Sequence, residues 1–226
     1  MTSFWNTAFA VAAKDLRLEG RSREALVPTG FFALLLTVLF GFAFQSEPVD
    51  PRTQAPGLLW AAFSFAGVIA LQRSFALERD GNCLRALLLA PVDRGALFVG
   101  KALANFLLIG LVEAVVLPIF SVLLRVPVAP CLGPLALIIC LATLGFVEVG
   151  TLFSGMASGT RLRDVLLPLV LYPVWVPILV AAVESTGLVL SGRPLSEARE
   201  GLILLAVFDA IFLGLGLLFF EHVVEE

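Results

Sequence analysis

Apolar residues fall in six long stretches, Val27 to Phe44, Ala55 to Leu71, Ala102 to Leu124, Cys131 to Ser154, Val165 to Val183 and Gly201 to Phe220, with short polar segments between them. Each is close to the roughly 20 residues a helix needs to cross a hydrocarbon core about 30 Å thick. The pattern predicts an all-α membrane protein with six transmembrane helices in a single domain over residues 1–226. The first 24 residues carry a different signal. Trp5, Phe9, Ala12 and Leu16 recur at helical spacing, while Lys14, Arg17, Arg21 and Arg23 supply cations. This predicts an N-terminal amphipathic helix in the membrane interface, rings toward acyl chains and cations toward anionic lipid. The first apolar run begins only at Val27, after a charged segment and without a small-residue cleavage site, so a signal peptide is not expected.

A second amphipathic element is expected between spans two and three. Leu84, Leu87, Leu88 and Pro91 form an apolar side at helical spacing, and Gly81 interrupts a charged turn containing Glu78 and Asp80. A short helix at the inner membrane surface would rest on lipid or present its ridge to a groove in a soluble partner.

Composition supports the bilayer as solvent. Of 226 residues, 59% are hydrophobic and 15% charged, against about 25% charged in soluble domains. Little chain remains for a soluble catalytic domain. The net charge of −3 and the lack of a basic tract exclude a nucleic-acid binder. Orientation follows from the basic residues. With a cytoplasmic N-terminus, Lys14, Arg17, Arg21, Arg23, Arg73, Arg79, Arg85, Arg94, Lys101, Arg161 and Arg163 lie inside, and only Arg52, Arg125, Arg193 and Arg199 lie outside. The positive-inside rule then places both termini in the cytoplasm. Pro168, Pro173 and Pro177 are tolerable in a membrane helix, where neighbours re-satisfy freed backbone groups.

Candidate chemistry is sparse. Gly95 to Lys101 has the GxxxxGK spacing of a phosphate-binding loop, but Ala102 stands where that motif needs Ser or Thr, and the segment leads into a membrane helix. ATP hydrolysis by this chain is not expected. His222 is the only histidine, so a Ser/His/Asp triad or multi-histidine metal site within the chain is excluded. Cys83, Cys131 and Cys140 show no metal-ligand spacing and are read as small buried fillers. No metal, catalytic or firmly bound cofactor site is assigned. Glu113, Glu148 and Asp209 lie well inside spans. A charge there costs at least about 2.5–3.5 kcal/mol, which makes each a candidate for substrate or proton contact, or for packing through a bond to a neighbouring helix. Lys101 is expected at a membrane edge, away from them.

The run ERDGNCLRALLLAPVDRGALFVGKALANF, from Glu78 to Phe106, resembles the segment joining the second and third spans of type-2 ABC transporter permeases. With GTLFSGMASGTRLRDVLLPLVLYPVWVPILVAAV from Gly150 to Val183, and APGLLWAAFSFAGVIALQRSF before the first block, it resembles the CcmB family, haem exporter B permeases of cytochrome c maturation. The resemblance covers most of the chain from Ala55 to Val183. It implies an inner-membrane permease without ATPase activity, paired with a CcmA-like subunit carrying ATP and Mg, a haem-handling CcmC-like subunit and a small CcmD-like subunit. Haem would be the handled ligand. ATP hydrolysis would drive haem export or release of the haem-loaded periplasmic chaperone. The segment between spans two and three would then be a coupling helix. Glu78, Asp80 and Gly81 would shape its entry, Leu84, Leu87, Leu88 and Pro91 would dock, and Arg161 and Arg163 would mark a second contact with the ATPase. The alternatives are a type-2 permease for lipid, polysaccharide or drug, a proton-coupled carrier using Glu113, Glu148 and Asp209, and an intramembrane enzyme active on its own. The inverted repeats that would favour a carrier are not evident.

Overall fold

The computed structural model describes residues 3–43, 50–80, 93–156 and 163–224. Seven α-helices account for most of them: α1 Phe4–Ser22, α2 Leu26–Ala43, α3 Pro51–Asp80, α4 Arg94–Leu124, α5 Leu132–Met156, α6 Arg163–Leu190 and α7 Arg199–Val224. Single 3₁₀ turns, Ala129–Cys131 and Leu195–Ala198, lead into α5 and α7. Helices α2 to α7 are long and apolar enough to cross a membrane. Several outrun the apolar stretches that announce them: α3 continues to Asp80 and α4 begins at Arg94. Backbone hydrogen bonding continues past the hydrocarbon boundary as long as no breaker intervenes, whereas hydropathy falls at the first charged turn. Glu78 and Asp80 therefore lie in the last turn of a continuous helix rather than in a separate entry turn.

Helix α2 turns its small residues inward and its large apolar ones outward. Along α2 the buried positions are Thr29, Ala33, Thr37 and Gly41, while Val27, Phe31, Leu35, Leu39 and Phe42 are exposed. Lipid solvates large apolar side chains as well as protein does, so helix association favours small residues that let backbones approach. Thr37 accommodates its hydroxyl by donating to the Ala33 carbonyl at 2.8 Å. At the centre, α5 touches α3, α4, α6 and α7. It brings Phe146 into a ring cluster with Trp60 of α3 and Trp175 of α6, the Phe146 and Trp175 centroids lying 4.5 Å apart. The Trp60 indole N–H donates to Thr186 Oγ1 at 3.0 Å, so this buried aromatic also satisfies its polar atom.

Helix α1 packs on α4 through a face that hydropathy alone does not mark. Ala8, Val11, Ala12 and Glu19 are buried, and Trp5 and Phe9 are exposed on the bundle's exterior. The sequence stripe Trp5–Phe9–Ala12–Leu16 thus divides, Ala12 turning inward. Close approach depends on Gly100, where an added Cβ would stand 2.6 Å from the Ala8 carbonyl oxygen. Lys101 is correspondingly not at an exposed edge. It is 2% exposed, with its Nζ 3.6 Å from Asp15 of α1. The GxxxxGK spacing is therefore a helix-packing feature, with Gly100 giving room and Lys101 an ion pair. Asp93 caps the same helix, accepting from the Gly95 and Ala96 amides. The turn from α1 to α2 is fixed by Glu19, whose buried carboxylate accepts the Ala25 and Leu26 amides at 2.9 and 2.6 Å.

Candidate functional site

The three acids expected inside the membrane are buried, and the structure separates them into two places on opposite sides of α5. Glu113 of α4 is 2% exposed. Thr143 Oγ1 of α5 lies 2.9 and 2.8 Å from its two carboxylate oxygens. The pairing follows from hairpin geometry. Glu113 lies eleven residues before the end of α4 and Thr143 eleven after the start of α5, so the antiparallel helices bring them to one depth. Counting outward from the Arg125 turn would have found Thr143, which the sequence reading did not single out.

Glu148 and Asp209 form the second place. Glu148, 1% exposed, faces α7 and lies within electrostatic reach of Asp209, 6% exposed. Gly145 makes the space: a Cβ there would stand 2.8 Å from Asp209 Oδ1. Among the described residues, one Glu148 oxygen and both Asp209 oxygens have no hydrogen-bond partner. Such atoms cost about 1–3 kcal/mol each relative to satisfied ones. Asp209→Leu is accordingly expected to raise the stability of the bundle in mixed micelles by about 1–3 kcal/mol. Equilibrium unfolding checks this. A loss of stability would mean that Asp209 makes a stabilising bond in the folded bundle.

Further polar contacts bridge helices. Asn105 of α4 donates to Thr151 of α5 at 3.4 Å, and Lys101 reaches Asp15. No cation pairs with Glu113, Glu148 or Asp209 among the described residues. The expectation of buried cysteines is corrected in part. Cys140 is exposed on the outer side of α5 and Cys131 is half-buried, both as free thiols. The reason is again the lipid, which receives a small apolar thiol as readily as a core does.

Most of the residues expected to contact an ATPase lie outside the described residues. Gly81, Leu84, Leu87, Leu88, Pro91 and Arg161 lie outside the described residues, as does Cys83. Arg163 opens α6, and Glu78 and Asp80 close α3, but only their backbone is described. Among the described residues, no group of three or more His, Cys, Asp or Glu could hold a metal ion.

Comparison with known proteins converges on one family. The family model described as CcmB protein matches residues 6–225. Heme exporter protein B of Rhodobacter capsulatus is 32% identical over 177 residues, covering 77% of this chain and 80% of that protein. Heme exporter protein B of Paracoccus denitrificans is 29% identical over 206 residues, 91% of this chain and 93% of the relative. The Pseudomonas aeruginosa protein of the same name is 28% identical over 192 residues, 84% of this chain and 85% of that one.

Proposed function

The chain belongs to the CcmB protein family, and from that membership we propose that it is the membrane permease subunit of a haem-export complex. The observation that carries this reading is the family match over residues 6–225, joined to six apolar helices of spanning length. The chain is non-catalytic. ATP is bound and hydrolysed, with Mg, by a separate CcmA-like subunit, and the work serves haem export or release of a haem-loaded periplasmic chaperone. CcmC-like and CcmD-like subunits complete the assembly in the bacterial inner membrane.

The mechanism rests on rigid-body transmission. Closure of the ATPase subunits displaces the segment Glu78 to Arg94, which joins α3 to α4. Both helices are long and continuous on their described sides, so a push at that end moves whole helices rather than bending one turn. Leu84, Leu87, Leu88 and Pro91 dock, and Glu78, Asp80, Gly81, Arg161 and Arg163 border the contact. With both termini cytoplasmic, α1 lies along the inner interface. Its exposed Trp5 and Phe9 meet acyl chains, and its buried face holds α4.

Co-expression with a candidate CcmA-like ATPase subunit tests the reading. The native chain is expected to co-elute with the ATPase from detergent. The Leu84→Asp, Leu87→Asp variant should lose at least about tenfold of that co-elution while inserting normally, because a charged face replaces the apolar ridge. Undiminished co-elution and ATP-dependent activity in the variant would remove the coupling role from this segment.

A further inference from the structure

A cavity of about 660 Å³ opens between α4 and α5 on the exterior of the bundle. Its wall is apolar, including Phe106, Leu117, Val122, Leu132 and Ile139, and the turn residues Pro127 to Ala129 close one end. Val122, Leu132 and Cys140 on its rim are exposed, so the opening faces the lipid rather than the bundle interior. At its floor lies the Glu113–Thr143 pair. Gly110 also lines it, and a Cβ added at Gly110 would meet nothing within 4 Å.

The chemistry of the floor is asymmetric. Thr143 has one hydroxyl hydrogen to share between two carboxylate oxygens, and Glu113 has no other partner among the described residues. A carboxylate accepts about four hydrogen bonds, so Glu113 retains acceptor capacity toward the cavity. Acyl chains supply no donor, and intramembrane acids characteristically face a cavity or partner. The volume lies within the roughly 300–1,000 Å³ of small-molecule sites, whose form is likewise an apolar wall with a few polar groups. A whole transmembrane helix is far larger than this space and would need a donor side chain recessed between α4 and α5 to reach Glu113.

We propose that the α4–α5 cavity binds an amphipathic small molecule from the lipid phase, its apolar body filling the cavity and its hydroxyl or ammonium group donating to Glu113. An ionised carboxylate headgroup offers no donor to Glu113. The site therefore favours amphipaths that bring a donor over those that bring an ionised carboxylate. It is independent of the cargo assigned above.

Photoactivatable long-chain alcohol, amine, acid and alkane probes, offered to the purified chain in phosphatidylcholine nanodiscs, test this directly. Adducts of the alcohol or the amine are expected on residues 106–122 and 132–143, exceeding those of the acid and alkane by about tenfold or more. Glu113→Leu should abolish that excess. Glu113→Gln keeps an acceptor oxygen but loses the charge, so retained labelling assigns a hydroxyl ligand and selective loss of amine labelling assigns an ammonium. Gly110→Phe, whose ring enters open space and which removes a helix-weakening glycine, should exclude all four probes from these walls while leaving the fold intact. Equal labelling by alcohol and alkane, or labelling unaffected by Glu113→Leu, would overturn the proposal. So would cross-linking of Cys140 to a partner polypeptide in native membranes with loss of probe adducts, which would assign the groove to a helix.

Discussion

Trp175→Ala is expected to destabilise the bundle by about 3 kcal/mol, the residual-cavity term of about 24 cal/mol per Å³ applied to roughly 130 Å³ of deleted indole. The transfer term that raises such costs in soluble proteins falls away, because lipid solvates an exposed indole in the unfolded helix as protein does in the folded one. What remains is packing. Trp175 is fully buried, with its ring 4.5 Å from Phe146 and 6.0 Å from Tyr172. The neighbouring Val176 is 52% exposed, and Val176→Ala should change stability by less than about 0.5 kcal/mol. Equilibrium unfolding of both variants in mixed micelles decides the matter. Similar small effects would mean that the Trp60–Phe146–Trp175 cluster is not the packing centre of α3, α5 and α6.

Asp15→Ala is expected to undock α1 from α4. Breaking a buried ion pair costs up to about 3–5 kcal/mol, and Asp15 shares its carboxylate between Lys101 and Lys14. The lower end applies here, since the Lys101 to Asp15 separation is 3.6 Å and Asp15 is partly accessible. A thiol at the buried Val11 position, in a background lacking Cys83, Cys131 and Cys140, reports undocking by its maleimide labelling rate. About 3 kcal/mol corresponds to a rise of roughly a hundredfold. Adding Lys101→Met to Asp15→Ala should restore slow labelling, because it removes the buried charge that had lost the Asp15 carboxylate. Slow labelling in Asp15→Ala alone would show that α1 is held by something other than this pair.

These two sites also show what the sequence disclosed. The six spans were legible because about 20 consecutive apolar residues have few other uses. Helix ends were less so. Charged Arg79, Asp80, Arg94 and Lys101 lower hydropathy where α3 and α4 in fact continue. The docking face of α1 was hidden because it is built from Ala8, Val11, Ala12, Asp15 and Glu19. A stripe of small and charged residues has no hydrophobic signal, although it is what close packing on Gly100 and pairing with Lys101 require.

The candidate site was legible in part. Glu113, Glu148 and Asp209 stood out by the cost of placing an acid in lipid, and all three are buried. Their grouping was not readable, since it depends on which faces of α5 meet α4 and α7. Thr143 and Gly145, two residues apart, point to those opposite faces and so separate Glu113 from Asp209. Membership of the CcmB family was readable from local runs such as LLLAPVDR and GTRLRDVLLP, and the family match extends it to both ends of the bundle. The first run lies largely in residues 81–92, outside the described structure, and the second begins outside it and continues into α6, so sequence carries the coupling segment and structure carries the helices on either side of it.

The most direct measurement is the content of covalently haem-bearing c-type cytochromes in the native organism after deletion of this chain's coding sequence. Haem-stained c-type cytochromes are expected to disappear while their apo-polypeptides are still made, and to return when the native chain is supplied in trans. Undiminished holo-cytochrome c in the deletion strain would contradict a role for this permease in haem export.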